Sequence, residues 1–242
     1  IARKMSCLRS FYDYLCKRQF LPSNPVRLVD MPKIKEKAII QLDPDEVASL
    51  LDYIENYGNQ LTGVKLYHYN KQKYRDIAIV TLRLGTGVRV SELVGLNISD
   101  IDFKNNGIRI LRKGGNEMIV YFGEEVEKAL RDYLEISRNA ITPLSGHEDA
   151  LFLSGQRKRI SVDAVEKMVK KYASAISAKT ITPHKLRSTY GTALYRETGD
   201  IYLVADVLGH ADVNTTKKHY AKLSDARRRA ASKAVTLREK LN

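Results

Sequence analysis

The stretch Thr182-Pro183-His184-Lys185-Leu186-Arg187 is the part of the sequence around which the remainder is organised. Proline is favoured at the first position of a helix, so we predict a helix over about 184–197. His184 and Arg187 are three positions apart, which places both side chains on one face of that helix. The first turn also directs backbone N–H groups toward any nearby anion. The stretch therefore predicts a binding site for a phosphate group.

Other stretches supply the groups that such a site still lacks. Arg89 follows Gly85-Thr86-Gly87, a glycine-flanked corner at which a ligand can approach the backbone closely. Arginine is suited to binding a phosphate because its planar guanidinium group can donate to two phosphate oxygens at once and stays protonated. For Arg89 or Arg187 alone, a structural ion pair is the alternative. We hypothesise that Tyr220 attacks a DNA phosphodiester held by these two arginines and by two histidines, His184 and His210.

The charge of the chain is compatible with this hypothesis. Its 242 residues carry a formal net charge of +13, which favours a polyanionic partner such as nucleic acid over a merely soluble basic protein. The sequence contains no run of 18 apolar residues and no signal-peptide pattern, so we expect no membrane partner and a cytoplasmic, nucleoid-associated location. Because the chain begins at Ile1 and not at Met, we expect further sequence upstream.

The order of elements predicts a mainly helical domain. Apolar spacing predicts a helix over 4–19, and the charged, proline-bearing segment 31–41 is typical of a linker. Asp43, Pro44 and Glu46 form a capping-box pattern that begins the main domain. The further helices that we predict lie at about 76–84, 123–138, 161–177, 184–197, 200–208 and 214–221, with a last apolar stripe along 224–241.

A small antiparallel sheet is expected between two of these helices. Short apolar segments at 98–103, 108–111 and 118–122 are separated by Asn105-Asn106-Gly107 and Gly114-Gly115-Asn116, which are turn signals. Lys113 falls at the tip of the second hairpin. It is a candidate general acid that protonates the leaving 5′ oxygen, although a solvated turn lysine is the alternative.

The tyrosine-rich segment 57–72 has no clear period. We interpret it as a loop packed on the core, with surface tyrosines near DNA as the alternative. The neighbouring run Asp76–Leu84 is apolar on most faces and predicts a central helix that Gly85-Thr86-Gly87 ends. The five histidines lack the spacing of metal ligands, and no acidic cluster suits two-metal chemistry. We expect no metal and no cofactor.

Taken together, these motifs resemble the tyrosine recombinase or phage integrase family, closest in style to Xer-like and transposon integrases. The resemblance covers about residues 40–225, in family order, and rests on Thr86-Gly87-Val88-Arg89-Val90-Ser91-Glu92-Leu93, Lys113-Gly114-Gly115, His184-Lys185-Leu186-Arg187, Leu208-Gly209-His210 and Thr215-Thr216-Lys217-Lys218-His219-Tyr220. One departure is Arg112, which stands where relatives often carry glycine before the lysine.

The resemblance implies a site, a fold and a reaction. Its phosphate-activating set is Arg89, Lys113, His184, Arg187 and His210, with Tyr220 as the nucleophile and Glu92 as a supporting residue. The DNA contacts that we expect are Arg112, Lys185, Lys217 and Lys218. The implied fold is a mainly α, α+β tyrosine-recombinase fold, a helical catalytic domain over 42–223 with a three-stranded antiparallel sheet. Residues 1–30 look like the end of a core-binding domain, and 224–242 like a tail helix that docks on a neighbouring protomer.

The implied activity is site-specific cleavage and rejoining of double-stranded DNA through a 3′-phosphotyrosyl intermediate and a Holliday junction, by a homo-tetramer without metal or ATP. Two alternatives stay open at this point: a topoisomerase-like enzyme that only relaxes DNA, and a non-catalytic DNA-binding protein of the same fold. The motifs also leave open a choice between transposon or phage integration and resolution of chromosome dimers.

Overall fold

The structure, a computed structural model, describes residues 1–32, 40–112, 115–209 and 213. Its contacts divide the chain into two compact units, Ile1–Ala38 and Ile39–Asn242. The first unit contains helix α1, Ala2–Lys17, and a 3₁₀ turn, Pro25–Leu28. Asn24 joins the two, because its side chain accepts from Val26 N and donates to Arg9 O and to a carboxylate oxygen of Asp13. The helix predicted over 4–19 is thus observed, displaced by two residues.

The described part of the second unit is built of helices with one small sheet, as the sequence predicts. The helices are α2 Pro44–Asn56, α3 Gly63–Thr86, α4 Val90–Gly95, α5 Glu124–Asp132, α6 Val162–Ile176, α7 Pro183–Thr198 and α8 Ile201–Leu208. Shorter turns are Tyr57–Gln60 and Ile98–Asp100, both 3₁₀, and the π-helical Tyr133–Arg138 that continues α5. The strands are β1 Ile101–Asp102, β2 Gly107–Leu111 and β3 Glu117–Tyr121, in the order β1-β2-β3.

The sheet is antiparallel throughout, which confirms the predicted hairpins. In the second hairpin Ile108 pairs with Val120 and Ile110 with Met118. Ile108, Ile110 and Val120 are buried, whereas Arg109 between them is exposed. This alternation is the period-two pattern of a strand with one face on the core. One side of the sheet is therefore part of the main hydrophobic core.

The interpretation of 57–72 as a loop is wrong, and so is the predicted start of the central helix at Asp76, whereas the helix does end within the predicted Gly85-Thr86-Gly87. Helix α3 begins at Gly63 and passes through Gly85 to Thr86. Gly85 does not end the helix; a Cβ there would lie 2.5 Å from a methyl carbon of Val126, so glycine allows α5 to pack closely. The helix ends at Gly87, whose φ of +65° is the left-handed conformation of a C-terminal glycine.

The tyrosines of this segment differ in their roles. Tyr69 is buried and its hydroxyl donates to Ile54 O and Glu55 O at 2.8 and 2.7 Å. Tyr57 packs edge-on against Tyr69, whereas Tyr67 is exposed. The expected packing on the core is therefore correct for two of the three tyrosines, although a helix and not a loop carries most of the segment.

A buried polar network joins α3 to α6, which form two of the walls around the candidate site. Arg75 and Asp76 make an ion pair of 2.6 Å, and both side chains are at least nine-tenths buried. The Tyr172 hydroxyl donates to the other oxygen of Asp76 at 2.9 Å. Burial, with the nearby Asp76 carboxylate as a second cause, raises the pKa of Tyr172. This phenol therefore stays protonated and acts as a structural donor.

The predicted capping box at the start of α2 is present. Asp43 accepts from Glu46 N at 2.9 Å, and Glu46 accepts from Asp43 N at 3.0 Å. Glu46 also accepts from the Ser177 hydroxyl and from the Lys179 ammonium, beyond the end of α6. These bonds, first that of Lys179 and then that of Asp43 N, lower the pKa of Glu46 from its ordinary 4.5 to about 2.

Glu46→Gln is expected to lower the free energy of unfolding by about 1 kcal/mol at pH 7, because the neutral amide loses the charge-assisted bonds that the Glu46 carboxylate accepts from Lys179 and from Asp43 N. Because the folded-state pKa of Glu46 is depressed, its contribution is present above about pH 4.5 and is lost as the pH falls toward 2. Urea unfolding of both proteins at pH 7 and pH 3 measures this. The difference in the free energy of unfolding between the wild type and Glu46→Gln should be smaller at pH 3 than at pH 7. A difference that does not change with pH would contradict the depressed pKa of Glu46. Asp163→Asn, which breaks only an exposed pair with Lys167, is the control.

Across 1–32, 40–112 and 115–209, every helix is too short or too polar to cross a membrane.

Candidate active site

One cleft of about 780 Å³ brings together three of the predicted site residues. Its lining includes Arg89 from the start of α4, and His184 and Arg187 from the first turns of α7. The chain between the two arginines forms the sheet, α5 and α6, so only the fold makes them neighbours. A phosphate in this cleft would meet two guanidinium groups and an imidazole, the mixture that the sequence predicts.

Arg89 is held in place by Glu92 on the same turn. The backbone N and the Nη1 atom of Arg89 both donate to the Glu92 carboxylate, each at 2.7 Å. Glu92 is buried, whereas about a third of the Arg89 side chain is exposed. The carboxylate thus fixes the start of α4 and one edge of the guanidinium together, which is consistent with the supporting role predicted for Glu92.

Arg187 is a buried cation that bridges two ends of helices. It is 5% exposed and donates through Nη1 to Gly87 O, at the end of α3, and through Nη2 to Leu208 O, at the end of α8. Carbonyl groups at the C-terminus of a helix carry partial negative charge, so each contact is favourable for a cation. These two contacts orient the guanidinium, and the oxygen atom in each is a backbone carbonyl, which carries no full negative charge.

Helix α7 begins at Pro183, as predicted, with Thr182 as its N-cap residue. His184 is exposed at its first turn and Lys185 is half-buried. The first turn contains no acidic residue, so the N-terminal end of α7 keeps its positive character. The end of α7 that lines the cleft is therefore suited to an anion.

Arg83 is a residue of the cleft that the sequence reasoning missed. It lies on α3 at 1% exposure, and its Nη2 donates to Pro183 O in the first turn of α7. Its Nε and Nη1 atoms have no hydrogen-bond partner within the described part of the chain. Burial, and secondly the charge of Arg187, lowers the pKa of Arg83 to about 9, while Glu92 acts in the opposite direction. The available signal was an arginine inside the run 77–84, which is apolar apart from Thr81 and Arg83.

Arg112, an expected DNA contact, lies at the end of β2 and is directed toward α8. Its Nη2 donates to Val207 O at 2.8 Å, and its Nε and Nη1 atoms are buried without a partner among the described residues. Burial lowers the pKa of Arg112, with Glu92 and Arg89 as nearby charges of opposite effect. Its guanidinium is thus packed against the protein in this structure.

The remaining predicted residues lie outside the described part of the chain. They are Lys113, His210, Lys217, Lys218 and Tyr220, together with the helix predicted over 214–221 and the tail 224–242. Their roles stay predictions. In the described ranges, no three side chains of His, Cys, Asp or Glu lie together as metal ligands would.

Fixed donors around one cleft can stabilise the charge that develops when a phosphodiester is attacked. The non-bridging oxygens gain negative charge in the pentacoordinate transition state, and preorganised donors directed at them act without further reorganisation. Contacts with other protein groups orient Arg89 and Arg187. The cleft is therefore suited to transfer of a phosphoryl group between oxygen atoms.

Comparison with known sequences agrees with this geometry. The tyrosine recombinase XerC of Thermodesulfovibrio yellowstonii is 37% identical over 220 residues, which are 90% of this chain and 69% of that protein. XerC of Caldanaerobacter subterraneus subsp. tengcongensis is 36% identical over 236 residues, 95% of this chain and 61% of the relative. The tyrosine recombinase XerD of Oceanobacillus iheyensis is 33% identical over 218 residues, 90% and 66% respectively. The chain thus spans roughly two thirds of the length of these relatives.

Solved structures show the same fold. The XerA recombinase superposes with a TM-score of 0.62 at 30% identity, over 89% of this chain and 68% of that one. The Tn1549 transposon integrase in complex with transposon right end DNA gives a TM-score of 0.70 at 27% identity, over 94% and 78% of the two chains. The predicted fold class is confirmed. Because the model of the Phage integrase family also matches residues 41–227, we conclude that this chain belongs to that family, the tyrosine recombinases.

Proposed function

We propose that this chain is the catalytic portion of a site-specific DNA recombinase that cleaves and rejoins double-stranded DNA. The observation that carries the proposal is the convergence of Arg89, His184 and Arg187 on one cleft from separate parts of the chain. Family membership supports it, since the relatives are named tyrosine recombinases. The net charge of +13 is suited to a DNA substrate.

The reaction follows from the chemistry of these groups. The Tyr220 oxygen attacks the phosphorus, the bond from phosphorus to the 5′ oxygen breaks, and the 3′ phosphate becomes esterified to Tyr220. His184 takes the phenol proton, and Lys113 gives a proton to the leaving 5′ oxygen. Arg89 and Arg187 bind the non-bridging oxygens throughout. A 5′-hydroxyl of the exchanged strand then attacks the phosphotyrosine, so the phosphodiester energy is conserved and no ATP is consumed.

A suicide substrate tests this proposal directly. A duplex nicked just beyond the cleavage position loses its short 5′-hydroxyl fragment after attack, so the covalent intermediate accumulates. We expect a protein–DNA adduct that survives denaturation, and recombination between paired sites on intact DNA. Binding without any adduct would indicate a non-catalytic DNA-binding protein. An adduct with relaxation of supercoils, but no exchange between sites, would contradict recombination.

We also propose that the recombinase works as a homo-tetramer that joins two duplexes through a Holliday junction, with 224–242 docked on a neighbouring protomer. The alanine and leucine stripe of this tail supports the proposal, since it is suited to burial. Within the same scheme, residues 1–30 belong to a core-binding domain, 31–41 to a linker and 42–223 to the catalytic domain. Lys185, Lys217 and Lys218 contact DNA.

Deletion of 224–242 is expected to abolish assembly on paired sites while it leaves binding to a single site within about threefold, because the buried contacts between protomers are lost. Mass photometry of the protein on one-site and two-site DNA measures this. Tetramers that form equally well without the tail would refute the proposed docking.

A further inference from the structure

The last three carbonyl groups at the end of α8 each accept from a different arginine. Val207 O accepts from Arg112 Nη2 at 2.8 Å, and Gly209 O from Arg89 Nη2 at 2.6 Å. Leu208 O, between them, accepts from Arg187 Nη2. The three donors come from the end of β2, the start of α4 and α7. One short run of backbone therefore joins three distant parts of the fold.

This arrangement has an electrostatic reason. The last carbonyls of a helix have no partner inside the helix and carry its partial negative charge, so they are favourable sites for cations. Three guanidinium groups at one helix end also repel each other, and burial lowers the pKa of Arg112 further. Each carbonyl oxygen binds its guanidinium group without a full opposite charge, and Arg89 also makes an ion pair with the Glu92 carboxylate.

Arg112 differs from the other two arginines because its backbone belongs to a hairpin turn. Arg112 N donates to Asn116 O at 2.9 Å, and Gly115 N donates to Arg112 O at 3.0 Å. The neighbouring Leu111 is 65% exposed, so apolar packing contributes little to holding this end of the strand. Within the part of the chain that the structure describes, the side-chain bond to Val207 O fastens this end of the hairpin to α8.

Gly209 provides the room for this contact. A Cβ at that position would coincide with the Arg112 guanidinium, so only glycine permits the two groups to lie against each other. Two of the Arg112 nitrogens are enclosed and lack partners among the described residues, which fits a packed tether better than an exposed phosphate contact.

We propose that Arg112 is a positioning residue for Lys113, the next residue of the chain. It fastens the backbone from which Lys113 departs to the same carbonyl groups that orient Arg89 and Arg187. The proposed general acid and the phosphate-binding arginines are thereby positioned relative to the same group of backbone carbonyls at the end of α8. The inference rests on the proposed function, specifically on Lys113 as the proton donor to the leaving 5′ oxygen, and it assigns to Arg112 a role other than the expected DNA contact.

The test compares two suicide substrates that differ in one atom. In the first the scissile 5′ atom is oxygen; in the second it is sulfur, which leaves as a thiolate and needs no proton. Lys113→Ala should cleave the oxygen substrate about 10²–10⁴-fold more slowly, the range for a lost general acid, and the sulfur substrate at nearly the wild-type rate. If Arg112 positions Lys113, Arg112→Met should slow only the oxygen substrate, by about tenfold or more.

The quantity to compare is the ratio of the two rates for each variant, because a reduced folded fraction cancels in it. Arg112→Lys keeps a donor for Val207 O and should restore much of the ratio. Arg109→Met is the matched control, since Arg109 is exposed on the same strand and paired with Asp100. Its ratio should equal that of the wild type.

Two results would overturn the inference in distinguishable ways. If sulfur rescues Lys113→Ala but Arg112→Met slows both substrates equally or neither, Arg112 does not position the acid, and the proposed reaction stands. If sulfur fails to rescue Lys113→Ala itself, the acid role of Lys113 in the proposed function is wrong, and the inference falls with it.

Discussion

Replacement of Tyr220 by phenylalanine is expected to abolish covalent capture of DNA on the nicked suicide substrate. The change removes one oxygen atom, the proposed nucleophile, and a benzene ring cannot form the phosphate ester. Binding to the recombination site should stay within about threefold, because the phosphate contacts made by basic side chains supply most of the affinity. Denaturing electrophoresis for the adduct and a mobility shift for binding measure the two properties separately.

Tyr190→Phe is the matched control. Tyr190 lies on α7. Its ring is next to Gly87, because a Cβ placed on Gly87 would lie 2.5 Å from a ring carbon of Tyr190. Tyr190 is therefore close to Arg187, which donates to the Gly87 carbonyl. Burial raises the pKa of Tyr190, which makes its phenol a poor nucleophile. We expect this variant to form the adduct normally. An adduct with Tyr220→Phe, or its loss with Tyr190→Phe alone, would move the nucleophile to another tyrosine.

Arg187→Lys is expected to slow cleavage by about 10²–10³-fold, the usual loss when one preorganised donor to a developing oxyanion is removed. Lysine keeps the charge but has no planar fork. It therefore cannot reach Gly87 O and Leu208 O together while also presenting a donor to the phosphate. Single-turnover cleavage rates at saturating protein isolate this step from DNA binding. The rate should not recover at higher protein concentration.

Arg138→Lys is a closely matched control for that variant. Arg138 is also 5% exposed and also donates to two carbonyl oxygens, those of Glu148 and Ala150, but it is not part of the cleft lining. Both substitutions should reduce thermal stability, because each leaves a buried carbonyl without its donor. Only Arg187→Lys should reduce the cleavage rate of folded protein. An equal kinetic loss in both variants would mean that Arg187 acts through stability alone.

Local sequence patterns were sufficient to predict where most of the helices and strands begin. The capping box of Asp43 and Glu46 and the proline that begins α7 use contacts within one turn, so they can be read without knowledge of the remaining chain. The alternation in β2 and β3 is similarly local. The error over 57–72 has a tertiary cause: Tyr69 is anchored to the end of α2, and this packing stabilises a helix that has a weak apolar period.

The residue types and motif order of the sequence by themselves determined the family, the fold class and the phosphate chemistry expected of Arg89, His184 and Arg187. Only the tertiary structure decided which groups orient them. Arg83 contacts Pro183, and Arg187 contacts Gly87, across 100 residues each, and Arg89 reaches Gly209 across 120. No local pattern records such contacts, since a backbone carbonyl carries no residue identity. The carbonyl oxygens at the end of α8 accept hydrogen bonds from three arginines of the site. They do so because folding places the C-terminus of a helix, with its partial negative charge, where the three arginines meet.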